Sequence, residues 1–470
     1  MLTIADVAEA ISGQRPEGVE QPITGAVHDS RNAQSGMLFV ALKGEHADGH
    51  DYVADAFAKG AVLALVQREM AGDFRILDLR SGRKPPAFKA QYPLCLLVDD
   101  SLLSLQKAAS FWRRKLNLRV IGITGSVGKT TTKELAADVL SQRYPTFKSI
   151  ANLNNEIGLP LNVLSITENH ERAVLEMGFY VPGEIALLAD ISLPAIGMLT
   201  NIGTVHAERA GSQEAIYSGK AELVRALPKE GVAILNMDDP LVRRMAGETQ
   251  ARVFFYGLDS QADLWADEVE GMGLHGVRFR LHYAGETLHV RIPLIGRHSV
   301  HTALRAAAVG LVEGLSWGEI LAGLRIGNPQ LRLVAVQGKN GSILLDDTYN
   351  ASPESTVAAL NLLEELDGRK VAVLGDMLEL GPYEEQGHRV VGNLAAKVAD
   401  ALITVGPRAR IIAETAKAAG LDENAISQFD DSQQALDFLK GLLSKGDVVL
   451  VKGSRAVQME KIVPELEARQ

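Results

Sequence analysis

The sequence predicts an α/β protein of three domains: a mixed α/β N-terminal domain, a central parallel-sheet ATPase-type domain with a phosphate-binding loop, and a Rossmann-like C-terminal domain. Three observations predict it. At 470 residues the chain is long enough for about three cores of ordinary size. Short apolar strands alternate with helical stretches, the pattern of right-handed βαβ units and mainly parallel sheets. One strand-turn-helix carries Ile121-Gly122-Ile123-Thr124-Gly125-Ser126-Val127-Gly128-Lys129-Thr130-Thr131, a glycine-rich turn ending in Gly-Lys-Thr.

Over residues 1–99, residues 23–41 read as strands around the turn Asp29-Ser30-Arg31, and 51–59 reads as a helix. A polar loop over 80–93 precedes the strand 94–98, and a helix over 102–115 leads onward. The second unit, 100–328, has strands at 120–123, 173–176, 195–200 and 233–236. Helices fall at 131–140, 184–191 and 213–226. Between Asp263 and Ile295 the period becomes two, with 277–281 and 288–292 flanking Ala284-Gly285 as an antiparallel hairpin. A helix over 300–313 follows. The third unit, 329–470, has strands at 342–345, 371–374, 401–405 and 447–451, a second Rossmann-like sheet without a phosphate loop.

Composition narrows the function. Lys and Arg number 48 against 58 Asp and Glu, and an acidic chain without a basic block argues against nucleic acid as the principal partner. The single Cys95 excludes a disulfide framework or cysteine metal cluster and fits a reducing cytoplasm. Within Leu94-Cys-Leu-Leu-Val98 it reads as packing. The N-terminus lacks a cationic start followed by an apolar run, so no signal peptide is expected. No apolar stretch reaches bilayer length.

The phosphate loop carries the chemistry. Backbone N–H groups around Gly125, Ser126, Val127 and Gly128 would curl about phosphate at a helix N-terminus. Lys129 would reach the terminal phosphates, and the hydroxyl of Thr130, beside Thr131, would bind Mg²⁺. Ile123 stands where the usual pattern has its first glycine. Glu176 falls at the C-terminal end of a strand, where parallel sheets present ligand groups.

Further segments recur in a recognisable order: Asn152-Leu-Asn-Asn-Glu-Ile-Gly-Leu-Pro160, Glu176-Met-Gly178, Asn201-Ile-Gly-Thr-Val-His206-Ala-Glu208, Lys220-Ala-Glu222, Asn236-Met-Asp-Asp239, Gly296-Arg-His298, Asp346-Asp-Thr-Tyr-Asn-Ala-Ser-Pro353, Gly375-Asp-Met-Leu-Glu-Leu-Gly381 and Lys452-Gly-Ser-Arg455. Asp29-Ser-Arg31, Gly36-Met-Leu-Phe-Val-Ala-Leu-Lys-Gly44 and Asp48-Gly-His50 precede them. The ordered set resembles the Mur ligases of peptidoglycan synthesis over essentially the full length, and Thr-Gly-x-x-Gly-Lys-Thr matches that group's spelling of the loop.

The resemblance implies an ATP-dependent ligase in cytoplasmic cell-wall precursor synthesis. It would join D-alanyl-D-alanine to UDP-N-acetylmuramoyl-tripeptide through an acyl phosphate. It implies Lys129, Lys220, His206 and Asp347 as catalytic residues, and Thr130, Glu176, His206 and Lys220 as metal residues, with Lys220 carbamylated. His298, Ser299, Thr302 and Arg332 would join the loop in binding ATP. Ser30, Arg31, Lys43, Asn152, Asn155, Tyr349 and Asn350 would contact substrate. The protein would act as a monomer, without membrane insertion.

Three departures stand against the family pattern. Ser299 and Thr302 occupy positions where asparagine is common, which bears on adenine contacts. Ser352 also replaces an asparagine, and Tyr180 would line the acceptor pocket differently. The alternatives are another Mur-type or folylpolyglutamate-type amide ligase, or a nucleotide-binding scaffold without catalysis.

Overall fold

A computed structural model describes residues 1–45, 47–70, 74–81, 92–326 and 334–468. Three sheets organise the chain. The first has five parallel strands in the order Ala26–Val27, Leu38–Val40, Leu63–Val66, Leu94–Leu97 and Arg75–Asp78. The 23–41 segment thus supplies two short parallel strands with a 3₁₀ turn over Ser30–Asn32 between them. Most of the polar 80–93 loop lies outside the described residues.

The second sheet has nine strands. Its order is Glu286–Ile292, Val277–Tyr283, Leu264–Gly271, Arg252–Gly257, Val232–Asn236, Ile196–Leu199, Arg119–Thr124, Arg172–Glu176 and Thr146–Lys148. The six from Arg252–Gly257 to Thr146–Lys148 pair in parallel. Val232–Asn236 is buried along its whole length, as a strand covered on both faces must be. The hairpin Val277–Tyr283 and Glu286–Ile292 is antiparallel and one-sided, as the period of two requires.

The third sheet has six strands in the order Val334–Gln337, Ile343–Asp347, Val448–Lys452, Lys370–Gly375, Ala401–Val405 and Ile426–Phe429. Only the edge strand Val334–Gln337 runs antiparallel.

The hydrophobic core does not break at residue 99. One buried cluster joins Leu2, ahead of the first helix, and Val40 and Leu96 of the first sheet to Leu175, Leu199 and Leu235 of the second. Helix Ser101–Lys115, capped by the Asp100 side chain, lies at this junction. Trp112 Nε1 donates to Ile166 O at 2.9 Å. The buried Arg113 guanidinium donates to the carbonyls of Ser192, Leu116 and Leu118, so its desolvated N–H groups find partners. Buried Cys95 has its thiol pushed up to about 12 by desolvation, which leaves it an inert packing residue. Among the described residues no helix is long and apolar enough to cross a membrane.

Candidate active site

The loop between Arg119–Thr124 and helix Lys129–Leu140 is shaped by two glycines. A Cβ at Gly125 (φ +145°) would stand 1.8 Å from Thr200 Oγ1, and one at Gly128 (φ +86°) would stand 2.7 Å from an Arg305 guanidinium nitrogen. Glycine is therefore required twice, for conformation and for close approach. The neighbouring strand end clamps the loop. Ser126 N donates to Asn201 O at 3.0 Å. Val127 N donates to Asn201 Oδ1 at 2.8 Å, and Gly203 N donates to Ser126 Oγ at 2.9 Å. Lys129 Nζ sits over the loop, donating to Gly125 O at 2.7 Å and Ser126 O at 3.3 Å.

Beside it, the carboxylate of fully buried Glu176 accepts from Thr130 Oγ1 and from Asn154 Nδ2, each at 2.9 Å. Its backbone N–H is held by Ser149 Oγ at 3.0 Å. Buried Lys133 pins the following loop by donating to Ser149 O at 2.8 Å and Ala151 O at 3.3 Å, and it pairs with Glu134 at 3.0 Å. That loop carries Asn152, whose Nδ2 reaches Tyr349 OH of the third sheet's unit at 3.0 Å. Asn155 Oδ1 instead accepts from the N–H groups of Ile157 and Gly158. That oxygen thus receives the first N–H of the helix Gly158–Leu164.

His206 (φ +68°) opens the short helix Ala207–Ala210. Its Nδ1 meets Glu379 Oε2 of the C-terminal unit at 2.6 Å. The Tyr180 ring stands edge-on to it at 4.8 Å, and the Arg209 guanidinium lies 4.7 Å over that ring. Burial first, then the Lys129 cation, push the His206 pKa down to about 4, with Glu379 opposing. Lys220, on helix Gln213–Arg225, is buried with its ammonium 4.9 Å over Phe179. Gly219 makes room, since a Cβ there would meet Phe179 at 2.0 Å. Burial first, then repulsion from Lys129, push the Lys220 pKa well below the usual lysine range.

A cavity of about 180 Å³ opens between the phosphate loop and the third sheet. Its walls include Thr130, His298, Thr302, Asp347, Asn350 and Lys452. Asp347 and Lys452 end adjacent strands in register. Lys452 Nζ donates to Asp347 Oδ2 at 2.6 Å and Asn350 O at 2.9 Å. Ser299 also lines the cavity, but its hydroxyl donates back to Ile295 O at 2.7 Å.

The Mur ligase middle domain matches residues 123–310, the Mur ligase glutamate ligase domain 331–455, and the Mur ligase family catalytic domain 22–77. The chain is 36% identical to the UDP-N-acetylmuramoyl-tripeptide–D-alanyl-D-alanine ligase of Bacillus subtilis, over 99% of this chain and 98% of that one. The chain belongs to the Mur ligase family. A crystal structure of MurF from Acinetobacter baumannii superposes with a TM-score of 0.84 at 31% identity, covering 98% of each chain. MurF ligase from Thermotoga maritima in complex with ADP gives 0.78 at 27% identity, covering 95% of this chain and 97% of that one.

The residues read from the sequence converge unevenly. Lys129, Thr130, Glu176, His206 and Lys220 gather at the phosphate loop, and Asp347, Tyr349, Asn350, His298, Ser299 and Thr302 face it. Ser30, Arg31 and Lys43 belong to the first sheet's unit, where Arg31 pairs with Asp29 at 2.6 Å and exposed Lys43 meets Asp48 only through an isolated antiparallel backbone bridge. Arg332 lies outside the described residues. Asn154, Asn201, Glu379, Arg305 and Lys452 received no role from the sequence. Asn154, Asn201, Glu379 and Lys452 all stand in the ordered motifs, and for Asn201 and Lys452 the position at a strand end was the usable signal.

No group of three or more His, Cys, Asp or Glu is placed to hold a metal among the described residues. Thr130 Oγ1 and the Glu176 carboxylate, hydrogen-bonded to each other, are nonetheless a hard-oxygen pair beside a phosphate loop. That suits Mg²⁺, which takes one or two protein oxygens and completes its shell with phosphate and water.

Proposed function

We propose that this Mur ligase joins D-alanyl-D-alanine to the tripeptide of UDP-N-acetylmuramoyl-tripeptide, using ATP to form an acyl phosphate. The observation that carries the reading is the convergence of Lys129, Glu176, His206 and Lys220 at one loop, facing Asp347 and Asn350 across a cavity. The full-length likeness to D-alanyl-D-alanine ligases favours it over a sibling amide ligase, and the intact charged set favours it over a non-catalytic scaffold. Residues 1–99 hold the UDP-sugar, 100–328 the nucleotide, and 329–470 the dipeptide. The protein works as a cytoplasmic monomer.

Phosphoryl transfer between two anions demands positioning and charge screening. In this reading the N–H groups at the start of helix Lys129–Leu140 and the Lys129 ammonium hold the terminal phosphates, those of Ser126 and Val127 being taken by Asn201, and Asp347 with Lys452 fixes the opposite wall. Bound at Thr130 and Glu176, Mg²⁺ would neutralise phosphate charge. With Nδ1 of His206 turned to Glu379, His206 and Lys220 are the residues that would hold a second ion, which would add further screening of phosphate charge. Release of phosphate from ATP, scanned over amine acceptors with UDP-muramoyl-tripeptide present, tests the reading. Stimulation by D-alanyl-D-alanine above single amino acids is expected, and a preference for a single amino acid overturns it.

Lys220 is read as a carbamate. Buried and beside Lys129, its amine is driven toward the neutral form that attacks CO₂, forming an N–C bond and releasing a proton. The product replaces a cation by a hard anionic oxygen pair. Lys220→Ala is expected to fold and to lose about a hundredfold or more in rate, with partial rescue by short carboxylates. Full activity in that variant would make Lys220 a packing residue only.

A further inference from the structure

Arg305 is a buried cation whose recorded contacts are all to neutral groups. It lies on helix Ser299–Val312 at the spacing that continues His298 and Thr302 along one face. Its side chain runs under the phosphate loop, where a guanidinium nitrogen stands 2.7 Å from the position a Gly128 Cβ would occupy. Nε donates to Tyr256 OH at 3.0 Å and Nη1 donates to Thr132 Oγ1 at 3.0 Å. Both partners are neutral hydroxyls. The Tyr256 hydroxyl is itself buried and shared with the carbonyls of Leu199 and Thr200.

The nearby carboxylates are committed elsewhere. Asp238 accepts from His301 and from the N–H groups of Leu258 and Asp259. Asp239 caps helix Pro240–Arg244 and accepts from Ile202 N. Glu134 is taken by Lys133 and Lys148. Among the described residues none of them forms an ion pair with Arg305.

A desolvated guanidinium held only by neutral oxygens is costly, because hydroxyl dipoles replace hydration but supply no countercharge. Here that charge lies behind the helix N-terminus that already favours anions. We infer that Arg305 is a positioning residue for the polyphosphate: it holds Thr132 of the first turn and supplies, from beneath Gly128, a fixed positive charge that an anion on the loop compensates. Lys129 is a cation above the loop and Arg305 one below it. The inference rests on the reading of the loop as the ATP site.

The test replaces Arg305 by methionine, which keeps length and apolar packing, and by lysine, which keeps charge without the fork. In Arg305→Met the KM for ATP and the inhibition constant of ADP should rise about tenfold or more, as loss of a charge-assisted contact predicts. Inhibition by adenosine, which lacks phosphate, should change less than about twofold. The nucleotide-free protein should melt no lower than wild type, because replacing a buried unpaired charge by an apolar side chain is about neutral or stabilising. Arg305→Lys should hold ADP within about threefold of wild type.

A structural post would behave differently. Arg305→Met would then melt lower while ADP and adenosine shift alike or not at all, and that result overturns the inference. Should Arg305→Met fail to fold, the lysine variant decides: loss of ADP affinity beyond tenfold with charge retained also overturns it. Wild-type protein titrated in parallel separates the two readings. Failure of wild type to saturate with ATP sinks the nucleotide site itself, whereas wild-type saturation with unaltered Arg305→Met sinks only the role of Arg305.

Discussion

The central and C-terminal sheets both present strand ends to one cleft, but they secure their functional side chains differently. At the central rim, Glu176 is fully buried and held by Thr130, Asn154 and Ser149 of its own sheet's unit. The loop beside it is clamped by Asn201 and backed by Arg305. At the C-terminal rim, Asp347 and Lys452 form one ion pair in register. That rim meets the central one through polar contacts such as Glu379 with His206, Glu354 with Thr204, and Tyr349 with Asn152. The central rim is pre-organised for phosphate, so its geometry costs little at the moment of reaction. The polar bridges between rims are single contacts, each individually weak.

The comparison breaks most severely at Lys129. Lys129→Ala removes the cation over the loop and should lower phosphate release by about a hundredfold or more, as loss of an electrostatic clamp does. The effect should appear with any amine acceptor, because phosphoryl transfer precedes attack by the amine. Near-normal turnover would show that the central rim is not where the phosphates are held.

Much of this central rim was legible because its signals are local. Gly-Lys-Thr after an apolar strand fixes loop and helix together, and Glu176 declares itself at a strand end. What holds them was not legible, since the contacts join distant positions. His206 and Glu379 are separated by 173 residues, as are Thr132 and Arg305. No periodicity links such pairs. Arg305 in particular reads as one more cation on a helix until Tyr256 and Gly128 are seen around it. The strands 63–66, 75–78, 146–148, 252–257, 334–337 and 426–429 escaped the reading as well. Four of the six lie in half-exposed stretches, where neither alternation nor a continuous apolar run develops.

Glu379 sharpens the comparison, because it belongs to one rim and acts on the other. Glu379→Gln should lower kcat about tenfold, the scale of one hydrogen bond to a charged group, while KM for ATP stays unchanged. Scattering with nucleotide and UDP-substrate bound should show a larger radius than wild type. The pH response carries the sign. His206 is neutral when folded, with its pKa pushed down to about 4, whereas the unfolded chain protonates near the ordinary value of about 6.5. The unfolded state therefore binds more protons across that window, and stability present above it is lost as pH falls toward 4. Glu379 is the group that raises this pKa, so the variant should lose more stability than wild type on acidification. Identical urea midpoints in both proteins from neutral to acid pH would disconnect Glu379 from His206.

The smallest expected effect is at Tyr349, and it separates a bridge from a wall. Its hydroxyl accepts from Asn152 Nδ2 at 3.0 Å, a neutral contact on an exposed side chain. Such a bond contributes about 1 kcal/mol net, or roughly fivefold in an equilibrium. Tyr349→Phe keeps the ring against the cleft and removes only the hydroxyl. It should lower kcat/KM for D-alanyl-D-alanine by a few-fold at most and leave KM for ATP alone. Asn152→Ala removes the donor and should cost a similar amount. If the two act as one bridge, the double variant should be no worse than the poorer single one, leaving a coupling of about 0.5 to 1 kcal/mol. Fully additive losses would mean that each residue touches substrate separately. Tyr349 would then belong to the acceptor pocket of the C-terminal rim, and the contact with Asn152 would contribute nothing to holding the rims together.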